Sequence, residues 1–147
     1  MNATENDEPR TKETAMTVTE ESKAAAIQDY LAQTTGTEHY YAHWMGARQN
    51  ATRIVYTDGV KFVAETAGAY WLIDAILSHV FANPNLAREE FLVWTLKRNK
   101  TGSGAKLSCE DGNGGKLASQ RIPYTDFPLP EIQFCVENGV LYLPEER

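Results

Sequence analysis

The sequence predicts an α+β domain in which N-terminal helices pack on one face of a C-terminal, four- or five-stranded antiparallel meander. Two observations carry that expectation. Up to Phe81 the apolar residues recur mostly at helical spacing; beyond it they alternate and are punctuated by glycine- and asparagine-rich turns. Helices first and strands second is the order of an α+β fold. The size agrees: 147 residues, 42% hydrophobic and 10% aromatic, suit one domain with a real core.

Residues 1–19 carry almost no apolar side chains and read as a disordered acidic tail, leaving 20–147 as the single domain. Ala24, Ala25, Ile27, Tyr30 and Leu31 then recur at helical spacing, with Ser22 as the expected N-cap and Gly36 as the C-terminal stop. Residues 37–50 follow neither period and suggest a bent extended segment turning at Gly46, followed by a short strand over Arg53–Tyr56. Asp58 reads as an N-cap. Val60, Val63, Ala64, Ala67 and Trp71 continue a helical stripe that Gly68 interrupts. The stretch Ala69–Phe81 is apolar nearly all round, which predicts the most buried helix, stopped at Asn83-Pro84-Asn85. Phe91–Arg98 reads as a strand, and Lys106–Glu110 and Leu117–Ile122 flank a glycine-rich hairpin turn. Ile132–Val136 and Val140–Leu143 flank Asn138-Gly139, the signature of a type I′ hairpin.

The formal net charge is −6. Residues 1–22 hold six acids and two bases, so the rest is near neutral, with Lys97, Arg98 and Lys100 as its one basic cluster. Three charges at a strand end read as a solvated turn, and nucleic-acid binding is not expected. No apolar run approaches the roughly 18 residues of a membrane helix. The start lacks a signal-peptide pattern, which makes the cytoplasm the expected compartment and Cys109 and Cys135 reduced, buried residues.

Catalytic signatures are missing. No glycine-rich phosphate loop follows a strand, and Ser78 and His79 are adjacent on one helix, pointing about 100° apart, too far for a triad. His39 and His43 have the four-residue spacing that two ligands on one helix face would use, yet a third ligand is missing from the pattern, so no metal and no cofactor is expected. Asp74 is an acid in an otherwise apolar helix and must face solvent or find a partner. Together with the aromatic- and histidine-rich segment before it, it defines the candidate binding site: His39, Tyr41, Trp44, Tyr70 and Asp74.

Four motifs, Thr-Gly-Thr-Glu-His-Tyr-Tyr from Thr35, Tyr-Thr-Asp-Gly-Val-Lys from Tyr56, Gly-Ala-Tyr-Trp-Leu-Ile-Asp from Gly68 and Ile-Pro-Tyr-Thr-Asp-Phe-Pro-Leu from Ile122, give the chain a family resemblance. Over roughly residues 30–145 it resembles an uncharacterised family of small bacterial single-domain proteins, sporadic among plasmid, phage and other mobile-element genes. The resemblance implies a bacterial, intracellular accessory protein and brings no activity, cofactor or catalytic residue. Small size, absent catalytic motifs and surplus aromatics favour a non-enzymatic module with a protein partner, such as a mobile-element or counter-defence factor. The alternative is a small enzyme or ligand-binding protein with an aromatic, His and Asp pocket.

Overall fold

The computed structural model describes residues 19–45 and 52–147. The expected tail and the expected turn at Gly46 lie outside the described residues. Among the described residues four α-helices and seven strands follow in the order α1 (19–33), β1 (Tyr40–Met45), β2 (Thr52–Thr57), α2 (Asp58–Ala67), α3 (Tyr70–Ala82), α4 (Pro84–Arg88), β3 (Phe91–Arg98), β4 (Ala105–Glu110), β5 (Lys116–Ile122), β6 (Glu131–Glu137) and β7 (Val140–Tyr142), with a C-terminal 3-10 turn over Pro144–Glu146.

All seven strands form one sheet, ordered β1-β2-β7-β6-β3-β4-β5. This corrects the expected four- or five-stranded antiparallel meander: the sheet is mixed, and it recruits two strands from the helical half. The parallel pair is β2 with β7, where Val55 stands opposite Val140 and Tyr56 opposite Leu141. Only β3, β4 and β5 run as a meander. β6 returns to the far side of β3, which requires residues 123–130 to cross the ends of β4 and β3. That strap is held by its own burial, with Thr125, Phe127 and Leu129 inside, and by backbone bonds from Thr125 N–H to Ser103 C=O (2.7 Å) and from Arg98 N–H to Pro130 C=O (2.8 Å).

The helices cover one face. Leu92, Trp94 and Leu96 of β3, Leu107 and Cys109 of β4 and Ile132, Phe134 and Val136 of β6 point into this core. From α3 come Leu72, Ile73, Ile76 and Leu77, all buried, whereas Val80 is only partly buried. Ile27 anchors α1, and Tyr30 stacks on Phe62 of α2 at 4.5 Å. Gly68 breaks α2 from α3 in the left-handed conformation (φ 63°), with Ala69 N–H closing on Ala64 C=O.

Three local expectations are corrected. Ser22 lies inside α1 rather than at its cap, because the helix starts earlier. Gly36 has no positive φ and follows the end of α1 by three residues, so it is not the stop. The N-cap of α2 is Thr57, whose Oγ1 accepts the Val60 N–H, and Asp58 is the first helical residue. The Asn138-Gly139 turn has positive φ at both residues, 54° and 75°, as a type I′ hairpin requires.

Candidate functional site

Side chains alternate along a strand, so β1 divides its aromatics between two faces. Tyr41 and His43 turn toward α2 and α3, and Tyr40 and Trp44 turn to the helix-free face, each 60% exposed. Displacing Asp58 from the cap leaves its carboxylate free to reach back over the start of β1. Oδ2 accepts the backbone N–H groups of Glu38 (2.9 Å) and His39 (3.0 Å), and Oδ1 accepts the Tyr41 hydroxyl at 2.8 Å. His39 Nδ1 lies 3.3 Å from Oδ2. In return Asp58 N–H donates to Thr37 Oγ1 at 2.9 Å, and that hydroxyl donates to His39 C=O. Two of the sequence motifs are thus one interlocked structure. Partial burial would raise the Asp58 pKa, but the N–H of Glu38, the Tyr41 hydroxyl and His39 outweigh it and hold the carboxyl well below its ordinary value. Lys61 Nζ sits 4.5 Å over the Tyr41 ring and 3.4 Å from Glu65.

A second carboxylate–histidine pair lies further along. His43 Nε2 meets Asp74 Oδ1 at 2.5 Å, tying β1 to α3. Between the two pairs stands Tyr56 of β2, almost buried, with ring centroids 5.6 Å from Tyr41, 6.3 Å from His43 and 6.4 Å from Tyr70. Burial, with Tyr56 beside it, pushes the Tyr70 hydroxyl up to about 12.

Of the five residues read from the sequence, His39 and Tyr41 gather at Asp58, and Tyr70 joins them through Tyr56. Asp74 joins through His43. Trp44 points to the opposite face of the sheet. Asp58, His43 and Tyr56 were missed as site residues. The signal for Asp58 was present in Tyr-Thr-Asp-Gly, where Thr57 can cap and leave the aspartate to bond elsewhere. His43 and Tyr56 depend on pairing β1 with β2, where His43 stands opposite Ile54 and Tyr41 opposite Tyr56.

The two histidines of the four-residue pattern sit on extended chain, about 13 Å apart at strand rise, and each takes a different carboxylate. Among the described residues no three His, Cys, Asp or Glu side chains gather as a metal site would need. His79 bonds Gln120 Oε1 at 2.7 Å and lies against Trp94. Cys109 and Cys135 are buried and free, on opposite faces of the sheet with β3 between them. Burial pushes the Cys109 thiol up to about 12, which makes it a poor nucleophile. Among the described residues, no helix is long and apolar enough to cross a membrane.

No curated protein and no solved structure matches the chain. Residues 25–147, from within α1 to the C-terminal residue, match the model of a protein family. The chain belongs to that family, DUF6876, a family of unknown function.

Proposed function

We propose that this protein is a non-enzymatic, protein-binding module of the bacterial cytoplasm, an accessory factor of mobile elements that acts by contact, counter-defence included. The observation that carries the binding reading is the outer face of β1. Tyr40 and Trp44 stand 60% exposed, two residues either side of Ala42, on a strand at the edge of the sheet. Amphipathic aromatics on an exposed edge offer both anchors and a backbone ladder for an incoming strand. The accessory role is supported by the motif resemblance.

The alternative, an enzyme or ligand-binding protein built on an aromatic, His and Asp pocket, requires those groups to converge on one cavity. Instead His39 and Tyr41 bond to Asp58, His43 bonds to Asp74, and Trp44 faces away. The hydrogen bonds are used in docking β1 against α2 and α3.

The test is capture of a partner from a bacterial lysate by the full chain, followed by titration of the purified pair. The double variant Tyr40→Ser/Trp44→Ser should melt as the parent does and bind at least about tenfold more weakly, since aromatic anchors each contribute 2 kcal/mol or more, and tenfold is about 1.4. Equal binding by the double variant removes the edge-face reading.

A further inference from the structure

On the helix-free face, strand pairing assembles a row of cations that the linear sequence keeps apart. Lys97 of β3 stands directly opposite Lys106 of β4, and Lys106 opposite Arg121 of β5. At about 4.8 Å per strand the row spans about 10 Å. Like charges placed directly opposite destabilise a sheet. Among the described residues none of the three has an ion-pair partner; Glu131 is paired in register with Lys97, but no carboxylate lies within 4.0 Å of the ammonium. Cations on edge strands guard against unwanted pairing, and that accounts for Arg121. It does not account for Lys97 and Lys106, which are on interior strands.

The next row of the same face is short and hydroxylated. Thr95 stands opposite Ser108, and Ser108 opposite Ser119, with Gln133 on the other side of Thr95 and donating to its Oγ1 at 3.3 Å. Short side chains beside long cationic ones leave an open trough of about 720 Å³, lined by Lys97, Lys106 and Lys116, by this hydroxyl row, and by the carboxylates Glu110 and Glu131, so the cations outnumber the acids among them. That volume is within the range of small-molecule sites, roughly 300–1,000 Å³.

We infer that this trough binds a phosphorylated small molecule, with two or more phosphoryl groups along Lys97 and Lys106 and its polar remainder on Thr95, Ser108, Ser119 and Gln133. A phosphoryl group offers several acceptor oxygens to ammonium, guanidinium and hydroxyl donors together. The trough lining contains no aromatic side chain, so it lacks the stacking platform that single-stranded nucleic acid uses. The row is also too short for the many phosphate contacts of a duplex. The site is separate from the β1 edge, at the opposite end of the same face, and stands whether or not that edge binds a protein.

The test is calorimetric titration of the full chain with orthophosphate, pyrophosphate and tripolyphosphate at low salt. Tripolyphosphate should bind saturably, one per chain, and more tightly than orthophosphate. Lys97→Gln and Lys106→Gln should each weaken it, and the pair by at least about tenfold, because each loses a charge-assisted bond to the phosphoryl groups. Lys106→Arg should restore binding in place of Lys106→Gln, and Arg88→Gln, on α4 and away from the trough, should bind as the parent. Absence of saturable binding overturns the inference. So does equal weakening by Arg88→Gln, or tighter binding of an oligoglutamate peptide or a thymidine oligonucleotide than of tripolyphosphate.

Discussion

The carboxylate of Glu146, next to the last residue of the chain, occupies the place where a side chain of Gly59 would begin. Its Oε2 accepts the Gly59 N–H at 3.1 Å, and a Cβ on Gly59 would fall 2.6 Å from its Cδ. Its Oε1 accepts the Thr57 hydroxyl at 2.6 Å and the Leu143 N–H at 2.9 Å. The negative charge thereby sits at the N-terminus of α2, where the helix dipole favours it, and it ties the C-terminal turn to the start of that helix.

Glu146→Ala should therefore cost about 2–4 kcal/mol, since it takes the acceptor from three buried N–H or O–H donors, losing charged bonds. Gly59→Ala should cost a similar amount, because the added methyl displaces the same carboxylate. Combined, the two should cost much less than their sum, as one contact is removed twice. Urea unfolding of the four proteins checks this. Losses under about 0.5 kcal/mol for both single variants, the range of exposed sites, would show that the C-terminal turn does not dock as described.

Asp58 predicts how stability responds to acid. Its folded-state pKa is held below the ordinary value of 3.8 by Glu38, Tyr41 and His39 acting against its partial burial. A depressed carboxyl contributes stability that is complete above the unfolded value and is lost as pH falls toward the folded one. Wild type should lose stability from about pH 5 downward, and Asp58→Asn, which cannot titrate, should lose less over that interval. Urea midpoints of the two proteins should differ most at about pH 5 and draw closer as pH falls toward 2.5. Parallel curves would mean that another carboxylate governs the acid response.

Much of the fold is legible where a local rule is strong. Asn138-Gly139 dictates its turn, Gly68 its helix break, and Leu72, Ile73 and Ile76 their burial, whereas Val80, expected with them, is only partly buried. β1 is not legible, because Tyr40 and Trp44 on its outer face are as aromatic as Tyr41 and His43 on its inner one, and alternation disappears. The parallel pairing of β2 with β7 joins residues more than 80 positions apart, which no window reads. The cation row fails for the same reason. A linear reading groups Lys97 with Arg98 and Lys100 as a turn, whereas the sheet groups it with Lys106 and Arg121 across two hairpins. Asp74 is a different case: its position in an apolar helix left open whether it faces solvent or finds a partner, and it does both, because only one stripe of α3 is buried, Asp74 is 54% exposed and its carboxylate bonds His43.

That exposure sets the last prediction. Asp74 bonds His43 across the gap between α3 and β1, so the pair could serve docking of the strand or contact with a partner. Exposed ion pairs contribute 0.2–1 kcal/mol, and asparagine keeps an acceptor at the same position. Asp74→Asn should thus cost less than about 1 kcal/mol, and a double-mutant cycle with His43→Ala should give a coupling of similar size. A loss of several kcal/mol would mean that the pair is buried and essential to the fold. The same variant tests the direction of binding. Asp74 is on the helix-covered side, and Tyr40 and Trp44 are on the other. If partner capture depends on the β1 edge, Asp74→Asn retains it and Tyr40→Ser/Trp44→Ser loses it. The reverse pattern, with capture lost in Asp74→Asn at unchanged stability and kept in the double variant, would move the binding surface to the His43, Tyr56 and Tyr70 cluster and revive the alternative of an aromatic, His and Asp site.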